Sequence, residues 1–251
     1  MFRRQLVTKY FDDDARPFIE RGSFRFGTLK KYRDEEGTAT EFRLRDTGEG
    51  KSVTGLFPKD GKIDFLPLPG GGAIINGSIT NGAPGSIPIA YENVINDYVF
   101  CATDGVYSVE HHKIMRCGTE NSDGEIYEGD ENLKNFAVID VHKFITALEA
   151  LLPKSPAWRT KLPMNEVLAV LQVKYGERDQ MKNVPSNYQI SEEDASMDYL
   201  NSVFRKPTKY APEREIRFLV RSNAPACIGD VTEPLDLQSK LLRRSIVKLG
   251  P

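Results

Sequence analysis

Two carboxylates and a guanidinium alternate near the end of the chain, in the order Glu213, Glu215 and Arg217. If this segment is a β-strand, side chains two residues apart point to one face, and the carboxylates lie roughly 7 Å apart along it. An arginine beside them lowers their pKa and keeps them ionised. Such a pair can bind sugar hydroxyls or stabilise a developing oxocarbenium ion. The alternative interpretation is a solvated strand face that alternates with buried Ile216 and Phe218.

The histidines do not form a recognisable metal-binding pattern. His111 and His112 are followed by Cys117, but a structural zinc site needs four ligands with closing CxxC or HxxxH spacing, and the sequence has no such set. His142 stands apart and fits a surface or core position equally well. We therefore expect no metal.

The three cysteines, Cys101, Cys117 and Cys227, are widely spaced and include no CxxC pair. An odd number of separated cysteines argues against a disulfide framework, so reduced thiols are the simpler interpretation. Cys101 lies in an apolar segment without an adjacent base, and we expect a buried side chain and not a nucleophile there. Because the N-terminus has no apolar signal segment, the predicted location is the cytoplasm.

Positive charge is concentrated in Arg21, Arg25 and residues 30–33. This patch is suited to a phosphate or a nucleic-acid backbone, or it simply offsets the acidic residues 12–14 and 34–36. Over the whole chain, 34 Lys and Arg balance 36 Asp and Glu, which argues against general adhesion to nucleic acid or to an anionic membrane. No run of about 18 apolar residues predicts a membrane span.

The elements that must position these residues belong to a single predicted domain, residues 1–251, in which 39% of residues are hydrophobic and 28% charged. The chain has no internal repeat and no regular alternation of strands and helices. We expect an α+β domain with a mixed or mostly antiparallel, split β-sheet and a few segregated helices. The predicted strands are 6–11, 23–29, 98–103, 136–141, 167–175, 215–220 and 245–249, and the predicted helices are 15–20, 143–152 and 191–204.

A Gly/Pro-rich stretch around 67–88 interrupts this pattern and predicts a flexible insertion. Two short alternating pieces, 63–68 and 73–79, are typical of a hairpin. The glycines at 70–72 match neither GxxxxGK[ST] nor a dinucleotide fingerprint, so a loop is favoured over a phosphate site.

Several short motifs occur in a distinctive order. Lys9-Tyr10 is followed by the helix 18–22 and the strand 23–27, then by the strand 100–103, and the chain ends in a strand and a Gly-Pro turn. This order resembles the bacterial and phage DUF2971 family, to which the AbiGi-type abortive-infection proteins are related. The most specific resemblance is to the family signature K-x(3)-(W/Y)-x-x-E-x-E-x-R, which fits residues 206–217.

An early basic strand, a helix ending in glycine and a late E-x-E strand are also similar to ADP-ribosyltransferase-like folds. This resemblance implies NAD as a co-substrate and Glu215 or Glu213 as the catalytic carboxylate that stabilises an oxocarbenium-like ribose. Lys9 stands where that order has His or Arg. The cofactor-binding residues that the resemblance implies are Lys9, Tyr10, Arg25 and Arg217.

The motifs support two hypotheses on function. The first is an NAD-dependent ADP-ribosyltransferase, or another NAD-processing protein, that acts on protein or nucleic acid in conflict between phage and bacterium. The second is a non-catalytic binding module that inhibits or senses a defence-system protein or a nucleotide. A cleft that Glu213 and Glu215 share with Lys9, Tyr10 or Arg25 favours the first, and a flat, solvated carboxylate pair favours the second.

Overall fold

The fold is described from a computed structural model, for residues 5–34, 51–58, 89–94, 97–122, 124–155, 167–177, 179–184, 191–221 and 233–251. The predicted hairpin pieces at 63–68 and 73–79 lie outside these residues. The predicted Gly/Pro-rich insertion around 67–88 also lies outside them.

Within the described residues the chain forms fifteen strands, six α-helices and two short 3₁₀ helices. The strands are β1 (Leu6–Phe11), β2 (Ser23–Thr28), β3 (Lys51–Pro58), β4 (Ile89–Val94), β5 (Tyr98–Asp104), β6 (Thr119–Glu120), β7 (Ile126–Tyr127), β8 (Asn135–Asp140), β9 (Leu168–Gln172), β10 (Lys174–Tyr175), β11 (Gln180–Val184), β12 (Arg205–Lys206), β13 (Glu215–Val220), β14 (Leu235–Gln238) and β15 (Ile246–Gly250). The α-helices are α1 (Arg16–Glu20), α2 (Leu29–Asp34), α3 (Val109–Cys117), α4 (Val141–Leu151), α5 (Glu192–Phe204) and α6 (Lys240–Ser245), and the 3₁₀ helices are Leu152–Lys154 and Thr208–Glu213.

One antiparallel sheet of eight strands organises the fold, with β5 in its middle. Along one edge β5 pairs with β13, which in turn pairs with β9. Two strands share the opposite edge, because β1 pairs with Thr103 and Asp104 whereas β2 pairs with Tyr98 and Val99. β8 and β15 continue the sheet beyond β1, and β14 continues it beyond β2. The predicted α+β fold with a mostly antiparallel, split sheet is confirmed, and the split lies beside residues 100–102.

Smaller sheets flank this one in the described part of the chain. β3 lies between β4 and β11, and β10 pairs with β12 in parallel. β6 and β7 form a two-residue antiparallel ladder within 118–130, a stretch that contains few apolar residues and lacks the period of a strand. The pairing of β10 with β12 brings Tyr175 beside Lys206.

The main core lies between the large sheet and α4. The Asp140 carboxylate accepts a hydrogen bond from the Lys143 amide and so caps the first turn of α4. The helix buries one face against the sheet, and this face includes the fully buried Phe144. The Phe144 ring lies 5.0 Å from the Phe24 ring and 5.1 Å from the Phe218 ring, both in edge-on geometry.

The segment 167–175 differs from its prediction as one buried strand. Among the described strands β9 pairs with β13 alone, and Leu171 is 43% exposed, so β9 is an edge strand. The pairing then breaks at Val173, whose amide donates to the Glu215 carbonyl over 2.9 Å. An apolar run shows that a segment contacts the core, but it does not show whether a further strand covers its outer edge.

We expect Phe144→Ala to lower the free energy of unfolding by about 3–5 kcal/mol, because it leaves a cavity among packed aromatic rings. Phe18→Ala is the control, since Phe18 is 55% exposed and a surface substitution changes stability by about 0.5 kcal/mol or less. Urea unfolding followed by circular dichroism measures both values. Equal losses for the two variants contradict the assignment of the core.

Candidate active site

A cavity of about 980 Å³ opens at the split of the sheet, where β1 and β5 separate. Five of the six predicted site residues line it, and Arg25 is the exception. β1, β5, β13 and the segment after β7 contribute its walls. The lining residues are 8–14, Tyr32, Val99, 101–103, Met115, 128–134, Lys206, Glu213, Glu215 and Arg217.

A network of four charges, the buried Glu213, Glu215 and Arg217 and the half-buried Lys206, forms one wall of this cavity. The Lys206 ammonium lies 2.8 Å from Glu213 Oε2 and 2.6 Å from Glu215 Oε2, so one cation joins both predicted carboxylates. Arg217 Nε lies 2.5 Å from Glu215 Oε1. None of these side chains is more than 12% exposed, and Arg217 is only 1% exposed. The interpretation as a solvated strand face is therefore wrong, and the carboxylates share a cleft with Lys9 and Tyr10.

The two carboxylates meet because the chain turns between them. Glu213 is the last residue of a 3₁₀ helix and not part of a strand, whereas Glu215 begins β13, which corrects the expectation of one continuous strand. Arg214, between them, has φ 48° and ψ 46°, a left-handed conformation that is uncommon for a long side chain. The Asp104 amide donates to the Arg214 carbonyl over 2.8 Å and fixes this turn against the end of β5.

Neighbouring elements hold the network on its other sides. The Arg217 guanidinium donates to the Val203 carbonyl, close to the end of α5. The Glu215 amide donates to the Tyr175 hydroxyl over 2.7 Å. The Lys206 ammonium also lies 5.2 Å from the centre of the Tyr210 ring, within the range of a cation–π contact.

The charges around Glu215 decide its ionisation. Burial by itself raises the pKa of the Glu215 carboxyl, but the Arg217 and Lys206 cations together outweigh burial. They hold the pKa of Glu215 well below its usual range, so the carboxylate is ionised at neutral pH.

Cys101 lines the same cavity but is not a nucleophile. Burial, followed by the nearby Glu215 carboxylate, raises the pKa of its thiol far above the usual range. The thiol therefore stays protonated at physiological pH, and only a thiolate reacts readily. Cys101 is half-buried, which differs from the expectation of a buried side chain, because its side chain lines the cavity.

Tyr10 and Lys9 reach the cavity from different faces of β1. The Tyr10 hydroxyl lies 3.1 Å from His111 Nδ1, and burial, followed by Tyr107, raises the pKa of Tyr10 to about 12. Its hydroxyl therefore remains protonated and can serve as a hydrogen-bonding group. The Lys9 ammonium lies 5.2 Å from the centre of the Phe100 ring, beside the split in the sheet.

Arg25 lies elsewhere. Its Nε is 2.8 Å from Asp236 Oδ1, on an exposed face where β2 pairs with β14, and it does not line the cavity. The Asp236 hydrogen bond and charge raise the pKa of Arg25 and hold the side chain there. The structure therefore does not bring Arg25 together with the other predicted site residues.

The mouth of the cavity is acidic. It includes residues 12–14 and the segment 128–134, and eight acidic side chains line the whole cavity against four basic ones. Asp13 connects the two parts of the mouth. Its carboxylate lies 3.1 Å from the Lys134 ammonium and accepts a 2.8 Å hydrogen bond from the side-chain amide of Asn135. Both partners lower the pKa of Asp13, and the hydrogen bond from Asn135 has the larger effect.

Sequence reasoning missed several residues of this site. Lys206 and Tyr210 occupy the Lys and aromatic positions of the K-x(3)-(W/Y)-x-x-E-x-E-x-R signature. The signature therefore pointed to both residues, although neither was predicted to belong to the site. Tyr175 and His111 had no such signal, because their contacts with the site depend on distant parts of the chain. In the described part of the chain, no three His, Cys, Asp or Glu side chains are grouped so that they could hold a metal ion.

The sequence matches no protein-family model, and neither curated proteins nor solved structures include a significant match. The family suggested by the motifs therefore stays a prediction. Among the helices that the structure describes, none is both long enough and apolar enough to cross a membrane.

We expect Lys206→Met to lower the free energy of unfolding by about 3–5 kcal/mol, because two buried carboxylates lose the cation that they share. Lys134→Met is the matched control. It breaks an exposed pair with Asp13, for which the expected cost is about 0–1 kcal/mol. Urea unfolding at pH 7 measures both, and a similar small loss for Lys206→Met contradicts a buried network.

The lowered pKa of Glu215 predicts a pH-dependent contribution to stability. A carboxyl with a folded-state pKa below its ordinary value of 4.5 stabilises the fold above that value, and the contribution disappears as pH falls through the folded-state pKa. The difference in unfolding free energy between wild type and Glu215→Gln should be constant near neutral pH and shrink below about pH 4.5. Urea titrations between about pH 7 and pH 3 test this; a difference that does not change with pH rules it out.

Proposed function

We propose that this protein cleaves the N-glycosidic bond of NAD and transfers ADP-ribose to protein or nucleic acid, or to water. The observation that carries the proposal is Glu215, an ionised and buried carboxylate on the wall of a large cavity at the split of the sheet. A carboxylate fixed in a site that excludes water stabilises a developing positive charge far better than one in bulk solvent.

The charge required by this reaction agrees with the charge of the cavity. When the bond between ribose C1′ and the nicotinamide nitrogen breaks, its electron pair stays with the nitrogen, and nicotinamide leaves as a neutral molecule. The ribose is left with oxocarbenium character, which negative charge stabilises. Eight acidic against four basic lining residues provide that negative field. A nucleophile then adds to C1′ and loses its proton.

The cavity also has the size and the groups to hold a dinucleotide. Its volume of about 980 Å³ lies at the upper end of the range for small-molecule sites. Tyr10 and Tyr32 provide aromatic rings, and the Lys9 ammonium provides a cation for a phosphate. The motif resemblance to ADP-ribosyltransferase-like folds supports NAD as the substrate, and the resemblance to DUF2971 supports a role in conflict between phage and bacterium.

We expect wild-type protein to release nicotinamide from labelled NAD, and Glu215→Gln to do so at least about 100-fold more slowly. Glutamine keeps the size of the side chain but removes the charge that would face the ribose. Arg25→Ala is the control, because Arg25 lies outside the cavity, and it should retain wild-type activity. Circular dichroism verifies that each variant is folded. Absence of nicotinamide release by wild type with protein, nucleic-acid and water acceptors overturns the proposal.

Non-catalytic binding of a nucleotide or of a defence-system protein is a second candidate function. The observation in its favour is that Arg217 and Lys206 already neutralise Glu215, as in purely structural ion networks. Thermal unfolding in the presence of NAD or ADP-ribose separates the candidates, because a ligand at 100 times its Kd stabilises the fold by about 2.7 kcal/mol whether or not it reacts. Stabilisation without nicotinamide release supports the binding function.

A further inference from the structure

His111, on α3, joins two walls of the cavity. Its Nε2 lies 2.8 Å from the Pro212 carbonyl oxygen, and its Nδ1 lies 3.1 Å from the Tyr10 hydroxyl. A carbonyl oxygen only accepts hydrogen bonds, so Nε2 carries a proton and donates it to the Pro212 carbonyl, while Nδ1 is the partner of the Tyr10 hydroxyl. One side chain thus connects β1 to the residue that precedes Glu213.

His112 repeats this arrangement on the other side of the cavity mouth. Its Nε2 lies 2.5 Å from the Leu133 carbonyl oxygen and its Nδ1 lies 3.3 Å from the Tyr107 hydroxyl. The His112 ring also stacks on the Tyr10 ring, with centroids 4.9 Å apart and planes at 25°. The two adjacent histidines therefore hold different segments, His111 the turn before Glu213 and His112 the segment 128–134.

We infer that His111 is a positioning residue, which fixes the Tyr10 hydroxyl and the turn that carries Glu213 relative to each other. The consequence for catalysis rests on the proposed function. The consequence for the turn does not, because it concerns only the hydrogen bonds of this chain. This role also separates His111 from His112, although the two residues are neighbours on one helix.

The turn before Glu213 depends on outside partners to keep one conformation. Pro212 has no N–H and therefore contributes no backbone donor to the 3₁₀ helix. The turn ends in Arg214, whose left-handed backbone conformation is disfavoured for any residue with a side chain. The His111 bond to the Pro212 carbonyl is one of these partners. If the turn shifts, Glu213 moves away from Lys206 and the cavity wall loses its shape.

The test compares His111→Phe, which keeps a planar ring but removes both hydrogen bonds, with His111→Gln, which keeps one donor and one acceptor. Amide hydrogen exchange is measured at Arg214, which donates to the Ala211 carbonyl, and at Glu215, which donates to the Tyr175 hydroxyl. We expect exchange at both amides to be about tenfold faster or more in His111→Phe, and close to wild type in His111→Gln.

His112→Phe is the matched control for the exchange experiment. It removes the bond to the Leu133 carbonyl, so exchange should accelerate in 128–134 and stay close to wild type at Arg214 and Glu215. If His111→Phe does not fold, Tyr10→Phe removes only the hydroxyl that His111 holds, and the same two amides should exchange faster. Unchanged exchange in folded His111→Phe, or in Tyr10→Phe where His111→Phe does not fold, overturns the inference, as does equal acceleration at these amides in His112→Phe.

Nicotinamide release connects this role to the proposed function. We expect His111→Phe to lower kcat about tenfold with little change in KM, and His111→Gln to restore most of that loss. His111 is not a positioning residue if His111→Gln loses as much kcat as His111→Phe while its amide exchange stays at the wild-type level. If wild type releases no nicotinamide, the proposed function fails, and accelerated exchange in His111→Phe still supports the inference.

Discussion

The Lys206 ammonium, shared between Glu213 and Glu215, is the constraint on which the rest of this site depends. Burial removes these groups from water, and a buried charge is tolerated only when it is paired and hydrogen-bonded. The partners come from β12, a 3₁₀ helix and β13, so compensation of every charge requires these three elements to meet at one place. The turn at Arg214 is part of the same constraint, since it directs both carboxylates at one cation.

The split in the sheet explains why this network faces a cavity. β13 covers one edge of β5 completely, but β1 and β2 pair only with opposite ends of the other edge. No described strand pairs with β5 on this edge beside residues 100–102, and side chains from β1 and from the segment 128–134 line the gap. The sheet therefore supplies a rigid base for the charges and an opening for a ligand in the same place, which is the arrangement that a precise site requires.

Local sequence patterns predicted the elements better than they predicted the site. The helix predicted at 191–204 forms as Glu192–Phe204, with Ser191 and Asp194 in a capping box at its start, and β13 was recognisable from its alternation. The same alternation could not show that the charged face of β13 is buried. That depends on Lys206, which approaches from another strand, and on the turn at Arg214, a residue type that rarely adopts such a backbone. Burial of paired charges is a property of tertiary structure.

The Glu215 carboxylate is ionised, but two neighbouring cations balance its charge, and this limits how the site can act on a ligand. Two cations hold its carboxylate within 2.6 Å, so the group does not need to reorient when positive charge develops nearby. The same cations weaken its field at a distance, and the local network alone carries no net charge. The acidic residues at 12–14 and 128–134 make up this difference, because they give the lining an excess of negative charge that the network lacks. The geometry of the site thus comes from the buried network, whereas the net negative charge of its lining comes from the mouth of the cavity.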